Sequence, residues 1–286
     1  MRLGVCSVGL PDLTPDQAIP LAAQAGYAGI EWRVSPEVGG PGPAHFLTNN
    51  RCTVPPTDAA VRAVRERCAE AGLRIIGLNP YLEPGDLAGL EEMMRLAVIA
   101  GAAGVRLRAP RMGDAGFHRL VATATEYFTA AAELARRYEI KALLEMHQGT
   151  VCPSASLAVR VVGELPAEHV GVIYDAGNVV LEGSEDPSMA LQILGPYLAH
   201  VHLKNAAFTR PPGGGVWRPE WTPLDDGVLD VPRVLDVLAA AGYQGWISVE
   251  DLSTDRPPAD ALRFNASFLS RHVAFTGSAP AARAAV

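Results

Sequence analysis

Four ionisable residues, Glu145, Asp175, His202 and Glu250, each stand near the C-terminal end of an apolar, strand-like run. A strand alternates its side chains between two faces, so the phase of each run shows which neighbours share a face. Leu143, Glu145 and His147 share one face of the first run, and Gly171, Ile173 and Asp175 share one face of the second. His200, His202 and Lys204 do so in the third run, and Trp246, Ser248 and Glu250 in the fourth. An outer face packed under helices cannot host such groups, so all four sets point to a common interior. Three carboxylates buried together require a cation or several donors to compensate them. With one imidazole they suit a single divalent ion, Mn²⁺ first and Mg²⁺, Co²⁺ or Zn²⁺ as alternatives, with positions left for a substrate. A closed structural zinc site would draw on thiolates instead. The competing reading makes these acids salt-bridge partners of Arg106 and Arg108, inward by the same parity. That reading explains any one of them, and it strains to explain four in phase.

Other polar residues surround this ring. His147, two places beyond Glu145, reads as a proton shuttle, a substrate donor or a rim histidine. Lys204 reads as a group that binds a hydroxyl or polarises a carbonyl, or as half of a rim salt bridge. His200, one layer deeper, fits a residue supporting the ligands better than a ligand. Arg106 and Arg108 either neutralise Glu31 and Glu145 or bind a substrate carboxylate or phosphate. Trp217 and Trp221 fall in a long connection, where an indole stacks on a sugar face or tucks under its own loop.

The elements that must position these groups alternate along the whole chain of 286 residues. Strand-like runs cover 3–8, 29–34, 73–79, 104–109, 140–147, 170–175, 198–205 and 246–251. Helical spacing covers 14–25, 57–71, 86–101, 116–138, 154–164, 186–195, 231–241 and 257–272. Thr14-Pro15-Asp16, Asp186-Pro187 and Asp230-Val231-Pro232 read as helix starts, and Ala25-Gly26, Ala71-Gly72, Ala100-Gly101 and Ala241-Gly242 as helix ends. Eight strands alternating with eight helices predict a single α/β domain, a (β/α)8 TIM barrel over 1–272, with a low-complexity tail at 273–286. A doubly wound sheet would want a Gly-rich phosphate turn after its first strand, where the chain reads Ser7-Val8-Gly9-Leu10-Pro11. The long connections 35–56 and 206–230 are expected to roof the site, with Gly213-Gly214-Gly215 as a hinge.

Composition narrows the function classes. Lys and Arg number 24 against 31 Asp and Glu, a net charge of −7 that argues against nucleic acid as a partner. No apolar run approaches the roughly 18–20 residues that cross a bilayer. Met1-Arg2 leads straight into an apolar run too short for a signal segment, and the four scattered cysteines include no CxxC pair. A reducing cytoplasm is therefore expected, with no membrane partner and a homo-oligomer as the ordinary quaternary state.

The motifs Leu144-Glu145-Met146-His147-Gln148-Gly149-Thr150, Tyr174-Asp175-Ala176-Gly177-Asn178, His200-Val201-His202-Leu203-Lys204-Asn205 and Ser248-Val249-Glu250 resemble the signature of the xylose-isomerase-like sugar isomerases and epimerases. Gly26-Tyr27-Ala28-Gly29-Ile30-Glu31-Trp32 is similar to that family's second strand, and Glu185-Asp186-Pro187 to its inosose-dehydratase-like branch. The resemblance implies a metal-dependent TIM barrel whose ion is held by Glu145, Asp175, His202 and Glu250, with Glu145 and Glu250 also moving the proton. It also implies a small-molecule sugar or polyol-derived substrate, and contacts to it are expected from His147, Lys204, Asn178, Arg108 and Trp217. Two positions depart from the epimerases, which carry a substrate-binding His where Asn178 stands and an Arg where Phe208 stands.

A divalent ion chelated by a vicinal hydroxyl and carbonyl stabilises an enediolate, so the intervening C–H becomes acidic. Carboxylates on either side of that plane then support epimerisation or isomerisation, the reading taken first. Loss of a β-substituent gives the alternative, a lyase or dehydratase acting on an inosose or glycoside-like keto-sugar. An endonuclease IV-like hydrolase needs more histidines than the seven present and a basic face. A non-catalytic binding subunit would have little use for a complete ligand set.

Overall fold

The computed structural model describes residues 1–276. Its strands are β1 (Arg2–Cys6), β2 (Gly29–Val34), β3 (Thr53–Val54), β4 (Arg74–Pro80), β5 (Gly104–Arg108), β6 (Lys141–Glu145), β7 (Val170–Asp175), β8 (Leu198–Leu203), β9 (Asn205–Thr209), β10 (Arg218–Thr222) and β11 (Trp246–Val249). Its α-helices are α1 (Pro15–Gln24), α2 (Asp58–Glu70), α3 (Leu87–Ala100), α4 (Phe117–Tyr138), α5 (Ala155–Val162), α6 (Ala176–Leu181), α7 (Pro187–Leu194), α8 (Val231–Ala240) and α9 (Pro258–Ser270). Strands β1, β2, β4, β5, β6, β7, β8 and β11 pair in parallel, and β11 returns to β1 through Leu3↔Ile247 and Val5↔Val249. The sheet thus closes on itself as a single (β/α)8 barrel, and the expected strands and helices are all present.

Local chemistry explains where the helices begin. Thr57, Asp86, Ser154, Asp186 and Asp230 each accept a first-turn backbone N–H, and Thr14 and Gln17 form a capping box. The outward faces of the strands, including Ile30, Trp32, Leu107 and Leu144, pack under the buried stripes of these helices. Inside the lower half of the barrel, glycines make room for larger side chains. A Cβ on Gly29 would come within 2.9 Å of both Ile76 and Trp246, and one on Gly104 within 2.6 Å of Leu143.

Three features were not foreseen. The short α6 follows β7 without a break, and β3 extends the sheet beside β2. The 206–230 connection contains most of an antiparallel hairpin, β9 with β10, in which Ala206 pairs with Trp221 and Thr209 with Arg218. Gly213, Gly214 and Gly215 form its turn with φ of 90°, 98° and 124°, a conformation that side chains with a Cβ resist. Asn205 anchors the rest of the connection, donating to the Leu224 and Leu229 carbonyls. At the C-terminal end Val273 and Phe275 pack on the core, and the Thr276 N–H donates to the Met1 carbonyl. Packed chain therefore continues past the expected boundary at 272, and the remainder of the expected tail, 277–286, lies outside the described residues. No helix among the described residues is long and apolar enough to cross a membrane.

Candidate metal centre and the cavity above it

Register brings the four ligand candidates together. Asp175 lies beside His202 across β7 and β8, and His202 beside Ser248 across β8 and β11. Glu145 sits at the end of β6, and Glu250 follows β11 with its N–H on the Leu203 carbonyl. One ligand atom from each of Glu145, Asp175, His202 and Glu250 lies within 4.8 Å of the others, and all four residues are buried.

His202 shows what this ring can hold. Its Nε2 is 3.0 Å from Glu31 Oε2, which assigns the ring proton to Nε2. Its Nδ1 lies 3.5 Å from Glu145 Oε1 and 3.8 Å from Asp175 Oδ2, buried and without a hydrogen-bond partner. Burial disfavours the charged imidazole, but Glu31, with Asp175 and Glu145, outweighs it and holds His202 well above the ordinary range. A cation at Nδ1 would therefore take the place of a proton, as on a metal-binding histidine. His200 Nε2 reaches the same Glu31 oxygen at 2.9 Å, so the two imidazoles share one carboxylate partner. Glu31, His200 and His202 also form a compact group, but it shares His202 with the larger ring.

The carboxylates are held ionised by their neighbours. Burial alone would raise the Glu145 carboxyl, but the Arg106 guanidinium at 2.6 Å outweighs it and holds Glu145 well below the ordinary range. Burial likewise opposes ionisation of Asp175, and Lys204 Nζ at 2.6 Å, with His202, lowers it. Glu31 is burdened by burial and lowered by its two imidazoles. Lys204 also donates to Glu250 Oε2. Glu145, Asp175 and Glu250 thus have Arg106 and Lys204 as their direct cationic partners, while Glu31 is held by His200 and His202. The three carboxylates and the His202 imidazole offer the oxygen and nitrogen donors that a divalent cation takes, so the donor set fits one.

Asp175 has two tasks. Its Oδ1 caps α6 by accepting the Asn178 N–H at 2.9 Å, which leaves Oδ2 for the centre. The Asn178 side chain donates to that Oδ2 at 2.7 Å and to the Met146 carbonyl at 3.2 Å. Asn178 therefore orients the Asp175 carboxylate as well as lining the cavity.

A cavity of about 440 Å³ opens directly above Glu145, Lys204 and Glu250. Phe46 and Leu47 from the 35–56 connection, Tyr81 and Trp221 form part of its wall, with Arg108, Arg111 and His147 elsewhere around it. His147 Nδ1 lies 2.7 Å from the Gln148 carbonyl, so that nitrogen carries the proton and Nε2 is left basic. Of the residues expected at the site, the structure gathers Glu145, Asp175, His202, Glu250, His147, Lys204, Asn178 and Arg108 around this cavity and its floor. Trp217 is different: it precedes β10 near the hairpin turn, 59% exposed, and does not line the cavity, whereas Trp221 at the hairpin base does. Arg106 takes up Glu145 alone, and Glu31 is neutralised by histidines instead of arginines. Tyr81, Phe46 and Arg111 carry no sequence signal of their own. Glu31 has one, an acid in phase with Gly29 and Arg33 in an otherwise apolar strand.

A family model described as xylose isomerase-like TIM barrel matches residues 19–272. The inosose dehydratase of Geobacillus thermodenitrificans (strain NG80-2) is 28% identical over 155 residues, 49% of this chain and 48% of that protein. The chain thus spans about half the length of the curated relatives it matches. Among solved structures, the IOLI protein with a binding zinc atom superimposes with a TM-score of 0.74 at 16% identity, covering 96% of this chain and 100% of that one. The probable 3-DHS dehydratase AsbF of Bacillus anthracis gives 0.70 at 17% identity, covering 94% and 99%. At such identities these two likenesses bear on the fold.

Proposed function

The chain belongs to the xylose isomerase-like TIM barrel family, and from that premise we propose that it is a divalent-metal-dependent enzyme that removes a proton next to a carbonyl in a sugar or polyol-derived substrate. The observation that carries this reading is the His202 Nδ1, buried, unpartnered and turned toward the Glu145 and Asp175 carboxylates at the floor of a cavity. When bound, a divalent ion draws electron density from a carbonyl and its neighbouring hydroxyl and so acidifies the C–H between them. Glu145, Asp175, His202 and Glu250 are the proposed ligands, with Mn²⁺ the first choice and Mg²⁺, Co²⁺ or Zn²⁺ as alternatives.

The remaining work falls to the chain's own side chains. Glu250 has Oε2 on Lys204, while its Oε1 accepts no hydrogen bond among the described residues. Glu250 is therefore the readier proton acceptor, and Glu145, reached from β6, serves the other face. Lys204, fixed between Asp175 and Glu250, holds a substrate oxygen near the reacting carbons. His147 completes the set, its position on the cavity wall suiting proton transfer to or from a hydroxyl.

Dehydration is the favoured outcome: a proton leaves the carbon beside the carbonyl, and the β-hydroxyl departs as water once protonated. Two observations support it. Asn178 and Phe208 replace the His and Arg of the keto-sugar epimerases, and the Asn178 amide is engaged with Asp175. The Geobacillus relative is named a dehydratase. Epimerisation is the second reading, supported by the two glutamates entering from separate strands. Incubation of the Mn²⁺-loaded protein with keto-sugars and inososes in D₂O separates them. Solvent deuterium in recovered substrate or its epimer marks return of the proton, and a new conjugated carbonyl marks dehydration. With Glu250→Gln, occupancy being checked, exchange should fall about 10²–10⁴-fold. Normal turnover in both Glu250→Gln and Glu145→Gln would reduce the two residues to ligands, and neither exchange nor a conjugated carbonyl product with any keto-substrate would overturn the reading.

A further inference from the structure

Three guanidiniums crowd one aromatic ring beside the metal centre. Those of Arg33, Arg106 and Arg108 lie 5.0, 4.9 and 5.5 Å from the centre of the Tyr81 ring. Two have their terminal nitrogens engaged by the protein. Arg33 donates to Thr53 Oγ1 at 2.7 Å, to the Leu47 carbonyl at 3.1 Å and to the Glu37 carbonyl at 3.3 Å. Arg106 donates to Glu145 and, at 2.8 Å, to the Pro80 carbonyl.

Arg108 is not engaged in this way. Its one ion-pair partner, Glu83, stands 3.6 Å off with a side chain 86% exposed, too far and too well hydrated to count as a hydrogen bond. Its Nε is buried without a partner, as are those of Arg33 and Arg106, so the contrast lies in its terminal nitrogens, which make no hydrogen bond among the described residues. Burial and the adjacent Arg106 and Arg111 push the guanidinium's proton affinity down, a crowding that a bound anion would relieve. Arg111 lies across a bridge from Thr150, and its side chain makes no hydrogen bond among the described residues. Arg108, Arg111 and His147 all line both the main cavity and an adjoining one of about 240 Å³. The nearby Glu182 is engaged, its Oε1 accepting the Gly149 N–H at 2.6 Å.

Position gives this cluster its meaning. Arg108 pairs with Glu145 in the β5–β6 register, one strand from the ligand ring. The centre's carboxylates already have Arg106, Lys204 and two imidazoles as partners, so Arg108 and Arg111 are surplus to its own neutralisation. Sugar hydroxyls need no guanidinium pair, whereas a planar fork matches a carboxylate or phosphate.

We propose that the substrate of this site carries an anionic group, a carboxylate or a phosphate ester, held by Arg108 and Arg111 in the lobe beside the reacting carbons. The inference rests on the proposed metal-dependent reaction for its placement of the rest of the substrate, but the anion site is testable by binding alone. The probes are matched pairs: D-glucuronate and D-galacturonate, and the corresponding hexose 6-phosphates, each against the neutral hexose. Malonate and inorganic phosphate serve as anions without a sugar. Calorimetric titration of the Mn²⁺-loaded protein should give at least about tenfold tighter binding of an anionic member than of its neutral partner, a gap that shrinks with added salt. The uronate and phosphate arms say which anion is preferred.

In Arg108→Gln that gap should largely close while metal stoichiometry stays at one per chain, and Arg108→Lys should restore part of it by charge without the fork. Equal binding of neutral and anionic sugars, a gap unchanged in Arg108→Gln, or no binding by any of the anions would each overturn the proposal. The two readings fail separately. Arg108-dependent anion binding with neither deuterium exchange nor dehydration removes the reaction and keeps the site, and turnover of neutral sugars alone does the reverse.

Discussion

Glu31 Oε2 lies 3.0 Å from His202 Nε2, and this one contact decides which nitrogen of His202 faces the carboxylate ring. The acid sits on β2, on the far side of the barrel from β8, so the contact spans the interior. It fixes the imidazole's proton below and leaves its lone pair above. Glu31→Gln should keep the fold, since Gln fills the same space, yet weaken metal binding by about 10–100-fold. Competition against a chromogenic chelator measures this, with circular dichroism as the control for folding.

Metal itself should stabilise the protein. An ion that binds only the folded chain adds about 2.7 kcal/mol when its free concentration is 100 times its Kd. Thermal scans across a Mn²⁺ series should show a rising Tm that EDTA reverses, and elemental analysis should find one ion per chain. A Tm indifferent to Mn²⁺, Mg²⁺, Co²⁺ and Zn²⁺ would contradict the ring's assignment.

Arg106 and Glu145 form a fully buried pair at 2.6 Å. Arg106→Ala strips the partner from a buried carboxylate, an effect of about 3–5 kcal/mol against the folded state. Urea unfolding of the chelated protein should reveal that loss. Saturating metal should recover part of it, because the ion supplies an alternative partner for Glu145.

Trp221 walls the cavity, and its ring lies 5.4 Å from Lys204 Nζ. Trp221→Ala should raise KM for the substrate by about tenfold, the scale of one lost stacking or cation–π contact. Metal affinity should remain as in the parent, since the indole touches no ligand carboxylate. A parallel collapse of metal binding would mean that the hairpin supports the centre.

The four cysteines are buried and unpaired. Burial pushes the Cys68 thiol up to about 11 and Cys152 to about 12. A thiol reagent at pH 8 should therefore find almost no reactive group in the native protein and four after denaturation. Rapid modification of the native chain would show that one of these segments opens readily.

The barrel and the convergence of its four candidate ligands were legible along the chain because both depend on short periods. Alternation within β6, β7, β8 and β11 places Glu145, Asp175, His202 and Glu250 inward whatever the rest of the chain does. Helix caps and glycine stops mark the segments between them, and eight such units close in one familiar way.

Contacts between distant segments have no such period. Nothing local tells Glu31 that it will meet His202, 171 residues later, or tells Arg108 that its neighbours will consume the other partners. The 206–230 connection shows the same limit. Its glycines read as a hinge, but cross-strand pairing of Ala206 with Trp221 turns them into a hairpin turn, carrying Trp217 outward and Trp221 over the cavity. Side-chain phase along a strand follows from backbone geometry and is written in sequence order. Pairing across space follows from which strands the closed barrel makes neighbours, and only the folded chain decides it.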